Sequence, residues 1–159
     1  MSLLLRPATA ADAPSLAAMN RQLIADEGSR NPMSLAELEE RMRRLIAEGW
    51  AALLFEDERE LAGYALYRVR HDEYDPQRPE VDIRQFFVLP ERRGRGVGRA
   101  AFERMAAAHF PPGARLVLEV LASNPAGRAF WGRLGFTVYA TTLTRASHED
   151  TKTRRYEEK

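Results

Sequence analysis

Arg93-Gly94-Arg95-Gly96-Val97-Gly98 decides how this sequence folds, because of what lies on either side of it. An apolar, strand-like run at 83–88 leads in through the breaker Leu89-Pro90, and a run at 99–108 with helical spacing leads out. Three glycines in a strand-to-helix turn leave their backbone N–H groups bare, and the first turn of a helix has no internal partners for its own. Those donors, the positive end of the helix dipole and the flanking Arg92, Arg93, Arg95 and Arg99 make a seat for a multiply charged anion such as a pyrophosphate.

The rest of the composition narrows the setting. A chain of 159 residues supports one domain with a core, so 1–159 is read as a single domain. A net charge of +1 argues against a broadly basic nucleic-acid surface, although arginines crowd 92–99 and acids crowd 56–60. No cysteine is present, which excludes disulfides, thiolate zinc sites and cysteine nucleophiles, and fits a reducing, cytoplasmic setting. No His spacing suits a metal, the opening Leu3-Leu4-Leu5 is too short for a signal peptide, and no run approaches a membrane span.

Working outward, the pattern predicts an α/β order. A strand at 3–5 stops at Arg6-Pro7. Asp12-Ala13-Pro14 starts a helix that carries Leu16, Met19, Leu23 and Ile24 and ends at Gly28. Ser34 with Glu37 forms a capping box for a second helix, with Leu35, Leu38, Met42, Leu45 and Ile46 on its apolar face. Strands follow at 50–55 and 62–69, joined through an acidic turn that lacks the Asn-Gly signature of a tight hairpin. Beyond a polar loop comes a strand at 81–88, the glycine turn, and a helix at 98–109. The run 115–121 reads as a central strand covered on both faces. Asn124-Pro125 caps a helix that buries Phe130, Trp131 and Leu134 and stops at Gly135. A last strand is expected at 136–143, and the tail 147–159 reads as an edge strand or a partly mobile end.

Three phosphate turns compete for the glycine segment. A P-loop needs a Gly-Lys-Ser/Thr ending that is absent. A dinucleotide fingerprint would put its third glycine on Arg99 or Ala101, and would sit at the start of the fold rather than after several elements. The pattern Arg93-x-x-Gly96-x-Gly98, following a strand and opening an amphipathic helix, fits better. It resembles the Gcn5-related N-acetyltransferase superfamily. Downstream, 116–121 and the series Asn124, Phe130-Trp131, Gly135-Phe136 are similar to that family's fifth strand and following segment. The likeness spans roughly residues 3–145.

The resemblance implies a mixed, mostly antiparallel central sheet flanked by helices, with the fourth and fifth strands splayed apart. It implies acetyl-coenzyme A as cosubstrate and no metal. Its pyrophosphate would rest on Arg93, Gly94, Arg95, Gly96, Val97, Gly98 and Arg99, and its pantetheine arm would pair with the backbone near Phe86 to Val88, with Phe87 and Val88 as binding residues. Asn124 would reach the arm from the far side or serve as a helix cap alone. The reaction implied is direct acetyl transfer to a primary amine of a small molecule or peptide. Backbone amides near Val88 would serve the oxyanion.

For the base, counting back four and six residues from Val88 gives Arg84 and Asp82. Strand alternation sets Glu80, Asp82, Arg84, Phe86 and Val88 on one face. Asp82 is therefore the candidate base, its alternative role being a solvated partner of Arg84. Asp26-Glu27, at the end of the first helix, are candidate contacts for a cationic amine, or ordinary helix-end charges. Glu119 is either a substrate contact or half of a structural salt bridge. Many relatives protonate the thiolate with a tyrosine, but the matching positions here are Phe130 and Trp131, which leaves Tyr139 or water for that step.

Two other classes stand beside this reading. One is a non-catalytic acyl-coenzyme A sensor. The other is a nucleotide- or RNA-binding α/β domain, disfavoured because no stacking aromatics interleave the Arg-Gly run. No nucleic-acid or membrane partner is expected, and the family resemblance adds homodimerisation through C-terminal strands as an expectation.

Overall fold

Five strands form one sheet in sequence order: β1 (Leu3–Pro7), β2 (Ala51–Asp57), β3 (Glu60–His71), β4 (Pro79–Val88) and β5 (Arg115–Leu118). The first four pair antiparallel and β5 joins β4 in parallel. This computed structural model describes residues 2–147, so the expectation for 147–159 lies, beyond Ser147, outside the described residues. Alternation along β2 sends Leu53 and Phe55 to one face and Ala52 and Leu54 to the other, and each face gathers its own helices. One core packs β-sheet residues against α3 (Val97–Ala108) and α4 (Pro125–Arg133) through Phe102, Met105 and Trp131. The opposite core packs α1 (Ala13–Glu27) and α2 (Leu35–Ala47) through Leu16, Met19, Leu23, Met42 and Leu45.

Local signals set the helix ends. The Ser34 hydroxyl accepts from the Glu37 amide at 3.2 Å while the Glu37 carboxylate accepts from the Ser34 amide at 3.1 Å. Gly28, at φ 66°, closes α1 in the left-handed conformation. Leu35, expected on the apolar face of α2, is exposed, because it sits in the first turn before that face meets the core. The β2–β3 turn is tight despite its composition: Glu58 and Arg59 both take left-handed backbone, at φ 54° and 68°. Arg92 steadies it, pairing with Asp57 at 3.3 Å and with Glu60, the two acids that bracket the turn.

Three sequence expectations need correction. In β4, Leu66 of β3 faces Gln85 and Tyr67 faces Ile83, so Arg84 is an extra, unpaired residue. This bulge resets the alternation. Val81 and Ile83 share a face with Phe86 and Val88, whereas Phe87 joins the opposite core, so the single face assumed for 80–88 does not exist. Second, the strand expected over 115–121 ends at Leu118 and borders only β4 among the described residues. Third, 136–143 alternates well enough but is not a strand among the described residues. Phe136 packs against Trp131 and Phe102, yet Tyr139 and Leu143 are 79% and 90% exposed. Alternation builds a strand only where a neighbouring edge takes up its hydrogen bonds, and among the described residues none pairs with 136–143.

Candidate active site

The parallel pairing of β4 with β5 stops at Ile83 opposite Leu118, while β4 runs on to Val88. Past that point the strands part and leave a cleft of about 450 Å³. Its walls are the open edge of β4, Glu119 and Val120 beyond β5, the loop before α3, and Asn124, Phe130 and Trp131 from α4. The end of α1 closes one side with Asp26 and Glu27.

The bulge decides which backbone groups face this cleft. The Leu89 amide donates to Ala62 O at 2.8 Å, so two-residue periodicity turns the polar groups of Phe87 toward β3 and those of Phe86 and Val88 toward the open edge. Of the residues expected to meet an extended ligand through their backbone, Phe86 and the Val88 N–H are therefore placed to do so, while the Val88 carbonyl accepts from Arg93. Phe87 also lines the cleft, with its backbone turned toward β3 and its ring in the α1–α2 core.

The glycine turn has the geometry its sequence demands. Gly94 and Gly96 take φ 75° and 79°, and Gly96 caps α3. The Ala100 amide, bonded to Gly96 O at 3.0 Å, is the first to find an intrahelical carbonyl, leaving those of Val97, Gly98 and Arg99 directed out of the helix end. Gly98 permits a close approach, since a Cβ there would stand 3.1 Å from the Phe130 ring. Of the four arginines, Arg95 forms no ion pair among the described residues and Arg99 pairs with Glu103 at 3.0 Å. Arg92 serves the hairpin turn. Arg93 is a clasp: its Nε donates to Val88 O at 2.8 Å, its Nη2 meets Asp26 at 2.6 Å, and its guanidinium covers the Phe87 ring.

Carboxylates around the cleft differ sharply in state. Burial works against the Asp26 charge, but hydrogen bonds from Arg93 and Gln22 prevail and hold its pKa below the usual value. Glu27, half-buried, has its pKa raised, first by burial and then by the adjacent Asp26. Glu119 lies past the end of β5, exposed and without an ion pair among the described residues, so the structural salt bridge weighed for it is absent. Asp82 does not line the cleft. Its carboxylate is held by Arg70 at 3.3 Å and Arg68 at 3.7 Å, not by Arg84, on the side of the sheet that the bulge separates from Phe86 and Val88.

Asn124 caps α4, accepting from the Gly127 amide at 3.0 Å, and also lines the cleft. Phe130 stacks on Phe86 at 5.9 Å and Trp131 belongs to the core. No tyrosine lines the cleft among the described residues, and Tyr139 lies outside it, against Arg115. Sequence reasoning passed over Gln85, a buried side chain that lines the cleft and accepts from the Tyr64 hydroxyl at 2.8 Å. A buried amide among apolar neighbours in a strand was the signal. Among the described residues no helix is long and apolar enough to cross a membrane, and no group of His, Asp and Glu side chains is placed to hold a metal ion.

A sheet parted at its fourth strand, with a glycine turn and helix N-terminus at the parting, is the scaffold of an acyl transferase. The chain belongs to the acetyltransferase (GNAT) family, whose description matches residues 18–136. Its fold is similar to an acetyltransferase from Thermus thermophilus (26% identity, 86% of this chain and 88% of that one, TM-score 0.69). A possible acetyltransferase from Clostridium difficile is also similar (14% identity, 93% and 100% covered, TM-score 0.74). So is a predicted acetyltransferase from Clostridium acetobutylicum, solved with acetyl-coenzyme A (16% identity, 91% and 96% covered, TM-score 0.71). Comparison with curated proteins found no match. Membership carries acyl transfer from acetyl-coenzyme A as the general activity.

Proposed function

We propose that the protein is a cytoplasmic N-acetyltransferase that moves the acetyl group of acetyl-coenzyme A directly to a primary amine of a small molecule or peptide. The observation that carries this reading is the continuity of the cleft from Gly94, Gly96, Val97, Gly98 and Arg99 at the start of α3, along the outer edge of β4 at Phe86 and Val88, to Glu27. Acetyl-coenzyme A supplies an activated thioester when bound. Amides of the glycine turn and Arg95 take its pyrophosphate, while the Val88 N–H faces the developing oxyanion. Glu27 rather than Asp82 holds the amine and accepts its proton, since a raised carboxylate pKa brings a base closer to working pH. With no tyrosine among the described residues that line the cleft, solvent is the proton donor to the leaving thiolate in this reading.

Titration calorimetry with acetyl-coenzyme A tests the reading on wild type and on Gly96→Trp, with melting curves to show that both fold. Roughly micromolar binding that the bulky variant loses is the expected result. A folded wild type that does not bind overturns it. A cleft that no tyrosine lines among the described residues also favours a second reading, an acyl-coenzyme A sensor. Binding without thiol release across an amine panel would select that one.

A further inference from the structure

A second, smaller pocket of about 220 Å³ opens beside the cleft, between α1, α2 and the bulge of β4. Leu23, Glu27, Arg84 and Gln85 line both spaces, so they adjoin. Its volume falls below that of sites for drug-sized ligands.

The polar groups around it are unusual for an internal surface. Asn20 is 2% exposed, and its Oδ1 has no hydrogen-bond partner. Arg41 also lines the pocket; its buried Nε is unpartnered, while its Nη1 donates to Met33 Sδ at 3.6 Å. Arg84, forced out of register by the bulge, lies over the Trp50 ring at 5.0 Å and forms no ion pair among the described residues. Gln85 spends its Oε1 on Tyr64 and keeps its NH2 as a donor. Burial, and then the charge of Arg84, depress the Arg41 pKa, and neither guanidinium forms an ion pair among the described residues. Buried polar atoms normally find partners, so the unpartnered Asn20 Oδ1 and the Nε of half-buried Arg41 stand out. Two guanidinium groups and an amide donor ask for an anion, while Glu27 and the Asn20 carbonyl ask for donors.

Resting on the acetyl-transfer reading, we propose that this pocket holds an anionic group of the acceptor, so that the substrate class is a small primary amine bearing a carboxylate or a phosphate. Arg41, Arg84 and Gln85 take the anion. Glu27, shared with the cleft, takes the amine and presents it to the end of β4.

Matched amines test this with a thiol reagent, which sees only released coenzyme A because the chain has no cysteine. The pairs are L-amino acids against their carboxamides, and phosphoethanolamine against ethanolamine. An anionic member should exceed its uncharged partner in kcat/KM by about ten-fold or more, mainly through KM. Whether the carboxylate or the phosphate pair shows this names the source of the anion. Arg84→Gln and Arg41→Gln should each remove the preference by raising KM for the anionic amine. The exposed Arg84 serves as the safer variant should Arg41→Gln fail to fold. Uncharged partners that match in every pair, or a preference that survives Arg84→Gln, would overturn the proposal. So would the absence of both turnover and saturable calorimetric binding of these anionic amines to the protein loaded with coenzyme A. Acetyl-coenzyme A affinity, read in the same titrations, separates the two readings. Its loss sinks the transferase itself, whereas its presence with no anion preference sinks only the acceptor class.

Discussion

Glu27 and Asp26 stand next to each other at the end of α1, and their surroundings drive them apart. Arg93 and Gln22 keep Asp26 ionised, and its charge in turn raises Glu27. A carboxyl whose native pKa lies above its unfolded value holds extra protons in the folded state between those two values. Stability therefore falls as pH rises through that window, and the loss persists at neutral pH. Glu27→Gln should remove this cost: its melting temperature should exceed wild type at pH 7, with the difference vanishing below the ordinary glutamate pKa. The same change should lower kcat/KM by at least about a hundred-fold and abolish the acidic limb of its pH profile. A melt series across pH, paired with thiol-release kinetics, checks both, and a variant that is neither stabilised nor slowed would remove Glu27 from the mechanism. Sequence alone marked Glu27 only as one of two helix-end acids, because its pKa depends on burial that only the folded chain provides, where the loop before α4 is tied to the same helix end. The Ser123 hydroxyl provides that tie, donating to the Glu27 carbonyl.

Elements specified by local chemistry were legible in the sequence, and those specified by a neighbour were not. Ser34 with Glu37, Gly28, Asn124-Pro125 and the glycine turn each carry their own backbone instruction, and each appears where the sequence puts it. The bulge at Arg84 carries none. One extra residue between Gln85 and Ile83 moves Asp82 away from the cleft and turns Arg84 into the second pocket, which a strict period of two cannot foresee. Asn20 and Arg41 were invisible as a site because only the packing of α1 on α2 brings them together. At this scale Asn124 is the element with two duties, capping α4 and lining the cleft. Asn124→Asp keeps the capping acceptor, so urea unfolding should move by no more than about 0.5 kcal/mol. It loses the NH2 donor and adds negative charge to the cleft, and acetyl-coenzyme A affinity should drop about five- to ten-fold. An unchanged affinity would reduce Asn124 to its cap. Asn124→Ala, which loses both functions, should cost about 1 kcal/mol of stability as well.

Across the whole molecule the two cores share a single sheet, and the cleft lies where that sheet comes apart. Phe55 and Leu54 are adjacent in β2 yet belong to opposite cores, so neither core can dissolve without exposing the strands that the other packs against. The cleft itself is bridged rather than open-ended. Arg93 ties the glycine turn to α1 through Asp26, and Ser123 ties the loop before α4 to the end of the same helix. A ligand lying between these ties touches elements from both sides of the sheet, and its binding energy should be felt by the whole fold. Thermal unfolding should therefore show one transition for both cores, with near-ultraviolet signals of Trp50 on one side and Trp131 on the other changing together. Acetyl-coenzyme A at a hundred times its Kd should add about 2.7 kcal/mol. For a domain of this size that is a rise of roughly 5–10 °C. Asp26→Asn frees Arg93 from its partner, and should shrink that ligand-induced rise more than it lowers the melting temperature of the free protein. Two separate transitions, or a ligand shift confined to one tryptophan, would mean that the cores unfold independently and that the cleft belongs to only one of them.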